Sequence, residues 1–151
     1  KVFGTYTKNI IHNGFHHLDT LSYLFGKIIK IEKIENLKKK KYPSNIKIVF
    51  NKVNCYISEV SKKLDIHNLY FFGKTGILNY LNSGQKVILE KKIQYKLNYF
   101  NKFDKKKINS LFKANQYHVV NELEKFFKKK KYSLSTISDE INYHIKLNES
   151  K

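Results

Sequence analysis

The 151-residue sequence has no arginine, no methionine and no tryptophan, and only one cysteine and one proline. Each scarcity narrows the reading. With Cys55 alone no internal disulfide can form, which favours a cytoplasmic setting. No apolar run approaches the roughly 20 residues that span a bilayer, so no membrane association is expected. The opening Lys1-Val2-Phe3 lacks the layout of a signal peptide. Arginine reads guanine edges and clamps phosphates bidentately, so its absence argues against a specific nucleic-acid reader. The lack of methionine predicts that further sequence precedes Lys1.

What is present is lysine. All 30 basic residues are lysines, and against 12 acidic ones they give a net charge of +18 and a pI near 9.8. Such a charge raises the question of nucleic acid or an anionic surface. However, Lys, Asn, Ile, Tyr and Phe share A/T-rich codons and are inflated together, so the excess reads as genome composition. The blocks Lys38–Lys41, Lys105–Lys107 and Lys128–Lys131 are expected in loops or at helix ends, as solvated charge. A hydrophobic fraction of 41% and a charged fraction of 28% fit one folded domain over residues 1–151.

Apolar residues at Phe15, Leu18, Leu21, Leu24 and Phe25 have helical spacing, and Gly26 supplies a left-handed stop. Ile28 to Ile34 reads as a strand, and residues 38–45 as a loop. Ile46–Phe50, Cys55–Val60, Ile66–Phe72, Ile77–Leu81 and Val87 to about Tyr95 then read as short strands separated by Asn- and Gly-containing turns. With no helix between them, they predict an antiparallel meander. Val119, Val120, Leu123, Phe126 and Phe127 form a stripe on a helix from about Gln116 to Lys129. Ser135 or Thr136 caps a last helix in which Ile137, Ile141 and Ile145 recur, with Asp139 and Glu140 in its first turn. The fold class is α+β, an open-faced, mainly antiparallel sheet with helices on one face.

The dense cluster of titratable groups is His12-Asn13-Gly14-Phe15-His16-His17-Leu18-Asp19. On a helix beginning near Gly14, His16, Asp19 and Tyr23 share one face, while Leu18, Leu21 and Phe25 turn to the core. Three histidines invite zinc, but adjacent His16 and His17 diverge by about 100° and no recognised ligand spacing completes a site. No metal is expected. On spacing alone, local hydrogen bonding at a helix start is an equal reading. His67 and His118 stand alone in the sequence and are expected to be structural.

The segments Gly4-Thr5-Tyr6-Thr7-Lys8, Ile11 through Leu21, and Leu24-Phe25-Gly26 together resemble a known signature. It opens the C-terminal domain of the glucose–fructose oxidoreductase/inositol dehydrogenase/rhizopine catabolism family. His16 and Asp19 fall on that signature's His and second Asp. Val49 through Val60 is similar to the family's hairpin, and Tyr70 through Leu78 to its strand–turn–strand with a Gly-Thr-Lys-Gly turn. Phe126 through Ser138 is similar to its penultimate and Ser-led final helices. The likeness keeps its order over nearly the whole chain.

This resemblance implies a dihydrodipicolinate-reductase-like substrate-binding, catalytic and oligomerisation domain. A Rossmann domain, absent from this chain, would precede it and hold NAD or NADP. The implied activity is hydride transfer between that cofactor and a hydroxyl or keto carbon of a sugar, polyol or nucleotide-sugar. Its flavour is that of members in bacterial surface-polysaccharide pathways. His16 would be the general base, with a Lys from the Rossmann side steadying the alkoxide. His12, Asn13, Asp19, Tyr6 and Lys8 are the candidate substrate-binding residues. The implied partners are the chain's own Rossmann domain and further copies in a homo-oligomer formed through the open sheet face. The fragment alone is expected to be inactive.

One departure from the pattern stands out: the family's first Asp is His12 here. It keeps two alternatives open, a non-catalytic carbohydrate-binding or dimerisation module of the same fold and, behind it, a lysine-driven nucleic-acid binder. The latter predicts steep salt dependence and lacks the Gly-aromatic signature of RNA-binding sheets.

Overall fold

A computed structural model describes residues 1–34, 43–60, 66–93, 102–108, 115–131 and 136–149; at 93, 102–103 and 115–119 only the backbone is considered. Its strands are β1 Val2–Tyr6, β2 Lys30–Lys33, β3 Asn45–Val49, β4 Asn54–Glu59, β5 Asn68–Phe72, β6 Gly76–Leu81, β7 Lys86–Ile93 and β8 Lys102–Ile108. The helices are α1 Phe15–Phe25, α2 Asn115–Phe127 and α3 Ile137–Glu149, with a π-turn over Ile10–Gly14 leading into α1. The eight strands form one sheet in the order β2-β3-β4-β1-β5-β6-β7-β8. All neighbours pair antiparallel except β1 and β4, which run parallel. The fold is α+β, with a mixed, mainly antiparallel sheet.

The expected helix ends where its sequence predicts: Gly26 takes a φ of 84° and its N–H bonds the Ser22 carbonyl. Leu18 and Leu21 are fully buried, and Phe25 packs at the edge of the same core. That core is completed by Tyr6 and Ile10, Ile31, Ile46 and Ile48, Ile57 and Leu69. The alternation of β3 and β4 sends Ile46, Ile48, Cys55 and Ile57 inward. Burial pushes the Cys55 thiol up to about 12, so it behaves as a small apolar side chain rather than a nucleophile.

Several expectations are corrected. The central strand β1 and the terminal strand β8 were not anticipated. Lys105–Lys107, expected in a loop, lie within β8 and pair with Glu90, Leu89 and Ile88. Residues 104–108 of β8 are exposed on both faces, so no apolar alternation marks the strand; a lysine-rich edge also discourages pairing with other chains. Lys128–Lys131 follow α2 as expected, whereas Lys38–Lys41 lie outside the described residues.

The last helix also turns differently. Ile137, Ile141 and Ile145 face outward, while Tyr143 and Leu147 enter the core. The amphipathic period was legible but the buried stripe was not. Tyr143 and Leu147 sit four apart, and that stripe meets α1 through the edge-on contact of Tyr143 with Phe15, centroids 6.1 Å apart. Lys146 donates to the Ile29 carbonyl at 2.9 Å, fixing α3 beside β2. The helix start is capped as predicted, with Thr136 and Asp139 exchanging hydrogen bonds.

Candidate active site

The site lies where β1 ends and α1 begins. After Tyr6 the chain leaves the sheet through Lys8, whose φ of 71° is a left-handed conformation that a lysine adopts only at a cost. Asn9 then starts the π-turn. Its side-chain oxygen accepts the His12 N–H at 2.8 Å, and its carbonyl accepts from both Asn13 (3.0 Å) and Gly14 (3.3 Å). One extra residue in the turn, a feature common at functional sites, sets the angle at which α1 departs.

His17 fixes that angle. Its Nε2 lies 2.8 Å from the Thr5 carbonyl oxygen in the middle of the sheet. A carbonyl only accepts, so Nε2 carries the proton and Nδ1 keeps its lone pair. Burial pushes His17 down to about 4; the Thr5 bond opposes this, and nearby His67 and His16 add to it. His17 is therefore a neutral strut. The adjacent His16 points about 100° away along the helix and is exposed.

The third imidazole comes from far along the sequence. β1 and β5 pair with Thr5 opposite Asn68, which brings His67, one residue before β5, to the end of β1. Its ring centroid is 6.5 Å from that of His16 and 6.0 Å from that of His17. His67, expected to be a lone structural residue, thus belongs to the cluster. No local sequence signal could have found it, because a strand pairing creates the contact. The side chain of His118 lies outside the described residues.

The other candidates are placed as follows. His12 and Lys8 are exposed on the approach to α1, and the Asn13 amide reaches Thr7 Oγ1 at 3.5 Å. Asp19 is half-buried and acts on Tyr143 of α3; burial pushes the Tyr143 hydroxyl up, with the Ser22 side chain opposing this and the carboxylates of Asp19 and Asp139 adding to it. Tyr6 corrects its expected role. It has no exposed surface, and its hydroxyl donates to the Ser44 carbonyl at 2.9 Å, so it supports the site from the core without reaching a ligand.

Among the described residues no group of three or more His, Cys, Asp or Glu is placed to hold a metal ion, and no helix is long and apolar enough to cross a membrane. The sequence has no Gly-x-Gly-x-x-Gly turn to cradle a dinucleotide pyrophosphate. Imidazoles at the mouth of a sheet suit proton transfer instead.

No protein-family model and no curated protein matches the sequence. Solved structures do match the fold. UDP-N-acetylglucosamine 3-dehydrogenase GnnA from Acidithiobacillus ferrooxidans superposes with a TM-score of 0.69 at 8% identity, over 97% of this chain and 52% of that one. A protein assigned as an NADPH-dependent oxidoreductase from Desulfitobacterium hafniense gives 0.63 at 12% identity, over 93% of this chain and 50% of that one. The chain therefore spans about half the length of each, and it shares its fold with part of a dehydrogenase and part of a protein assigned as an NADPH-dependent oxidoreductase.

Proposed function

We propose that this chain is the substrate-binding and catalytic part of an NAD(P)-dependent oxidoreductase of the glucose–fructose oxidoreductase/inositol dehydrogenase/rhizopine catabolism type. Its substrate is a sugar, polyol or nucleotide-sugar, and His16 is the general base. The observation that carries the reading is the contrast between adjacent histidines, His17 buried and pinned to Thr5, His16 exposed beside it. A helix so anchored presents one imidazole in a fixed direction, which is what a base needs before its pKa matters.

In this reading His16 takes the proton of a substrate hydroxyl as a hydride leaves the same carbon. A nicotinamide dinucleotide, held mainly by a preceding Rossmann domain, supplies the hydride acceptor. His12, Asn13 and Lys8 border the approach and orient the remaining hydroxyls. The first neighbour's substrate makes UDP-N-acetylglucosamine the first compound to try, alongside simple polyols.

Self-association completes the proposal. On the sheet face away from α1, Phe3 stacks on Tyr56 at 5.5 Å and meets Phe72 edge-on at 5.8 Å. Phe3 and Phe72 remain 44% and 45% exposed, an aromatic patch suited to a second copy.

The test is reduction of NAD or NADP by the full-length protein with these substrates. His16→Ala is expected to lower turnover by several orders of magnitude while cofactor affinity stays near normal. Unchanged turnover removes His16 from the role. His12, where the family has Asp, favours one second reading, a carbohydrate-binding module without chemistry; binding of the same sugars with no turnover by the parent protein would establish it.

A further inference from the structure

His16 has a neighbour that the proton-transfer reading does not use. The ring of His67 stands edge-on to it, 6.5 Å away at an interplanar angle of 71°. Its position is built rather than incidental. The His67 carbonyl accepts the Ser83 N–H at 2.9 Å, and the Asn68 side chain accepts the Asn82 N–H at 2.9 Å. Both donors belong to the β6–β7 turn, in which Asn82, Ser83 and Gly84 have φ values of 49°, 55° and 90°. Three successive left-handed residues are costly except at glycine, and here they hold His67 from below.

His17 is also close to it, 6.0 Å away and itself bonded to Thr5. His67 is therefore held beside both a neutral strut and the exposed His16. Two imidazoles at this separation are too far apart to bond each other directly, but each can hydrogen-bond one of two neighbouring oxygens placed between them, at about 2.8 Å per contact. Adjacent hydroxyls on a sugar ring offer such a pair of oxygens.

We propose that His67 is the second ligand of the substrate, binding the hydroxyl next to the one that His16 deprotonates, and that this pair selects vicinal diols. The inference rests on the oxidoreductase reading and deepens it by naming the substrate feature recognised. It also supplies a polar group, from the residue before β5, to a chain that has His12 where the family has a carboxylate. His16 accepts the proton, and His67 binds and orients without exchanging one.

The experiment uses full-length protein and the substrate that gives the highest turnover among UDP-N-acetylglucosamine and a panel of polyols. It is compared with the analogue lacking the hydroxyl adjacent to the oxidised carbon. His67→Phe keeps the ring's bulk and His67→Asn keeps a hydrogen-bonding group, with thermal melting confirming that both fold. His67→Phe is expected to raise KM for the diol about ten- to hundredfold, the scale of one lost substrate hydrogen bond, with kcat within about threefold. His67→Asn recovers part of the loss. The deoxy analogue loses affinity in the parent and responds little to either variant. If His16→Ala abolishes turnover while His67→Phe leaves KM for the diol unchanged, or affects diol and analogue equally, the diol assignment is overturned and the base assignment stands. If no compound is oxidised, the oxidoreductase reading itself fails and this inference with it. If oxidation persists but His16→Ala has no effect, His16 loses the base role and the paired assignment to His67 falls while the oxidoreductase reading stands.

Discussion

His17 Nε2 bonds the carbonyl of Thr5 at 2.8 Å, so a neutral imidazole ties the first helix to the central strand. This makes the fold sensitive to mild acid. His17 is pushed down to about 4 in the folded chain from an ordinary 6.5, so the unfolded chain binds its proton more readily. Stability is complete above pH 6.5 and falls as the pH drops from about 6.5 to about 4, by about 3 kcal/mol in all. Urea unfolding at pH 7 and pH 4.5 should register most of that difference. His17→Gln should be less stable at pH 7 yet show a shallower dependence over the same range.

Gly4 is held between two core side chains. A Cβ there would lie 2.7 Å from Ile57 Cγ2 and 2.8 Å from Leu69 Cδ2, closer than carbon atoms pack. Because β1 is flanked on both sides by paired strands, it has little room to shift. Gly4→Ala is expected to destabilise by about 1–3 kcal/mol, the range for overpacking. A melting temperature equal to that of the parent would mean that the methyls of Ile57 and Leu69 rotate away freely.

Tyr6 separates support from contact with substrate. Its buried hydroxyl donates to the Ser44 carbonyl, which also accepts the Glu59 N–H at 2.7 Å, so Tyr6→Phe removes one hydrogen bond and leaves that carbonyl with the other. The expected loss is about 1–2 kcal/mol of stability with KM unchanged. A large rise in KM without loss of stability would restore Tyr6 to the pocket.

How much of this was legible depended on range. Gly26 and the period of Leu18 and Leu21 marked α1 because helical signals repeat within a few residues. The alternation of Ile46, Ile48, Cys55 and Ile57 marked β3 and β4 for the same reason. β1 escaped because Gly4 interrupts a run of only five residues. β8 escaped because its lysines give no contrast between faces. The outward turn of Ile141 was hidden because α3 carries apolar residues on two stripes, and only packing against Phe15 decides which is buried. His67 lies 51 positions from His16, and only the register of β5 on β1 joins them. The local half of the site could be read from the sequence; the half made by strand pairing could not.

The two stripes of α3 can be told apart directly. Leu147 is 2% exposed and Ile141 is 53% exposed, although both are apolar residues of one helix. Leu147→Ala should cost about 2–5 kcal/mol, as for a buried leucine. Ile141→Lys should cost less than about 0.5 kcal/mol, the range for surface changes. Equal and large losses would mean that the isoleucine stripe is covered in solution.

The aromatic patch gives the last prediction. Phe3 lies between Tyr56 and Phe72 on the face away from the core, and adjacent strands hold the three rings in register. A second copy covering this patch would remove Phe3 from water, and a charge placed there would have to be buried without a partner. With the self-association proposed above, Phe3→Glu is expected to give monomers in light scattering where the parent gives a larger mass, while leaving the urea midpoint of the monomer near that of the parent. An unchanged mass would move the interface elsewhere. The exposed lysines of β8 offer a poor substitute, because two such edges brought together would set Lys105–Lys107 of one against like charge on the other.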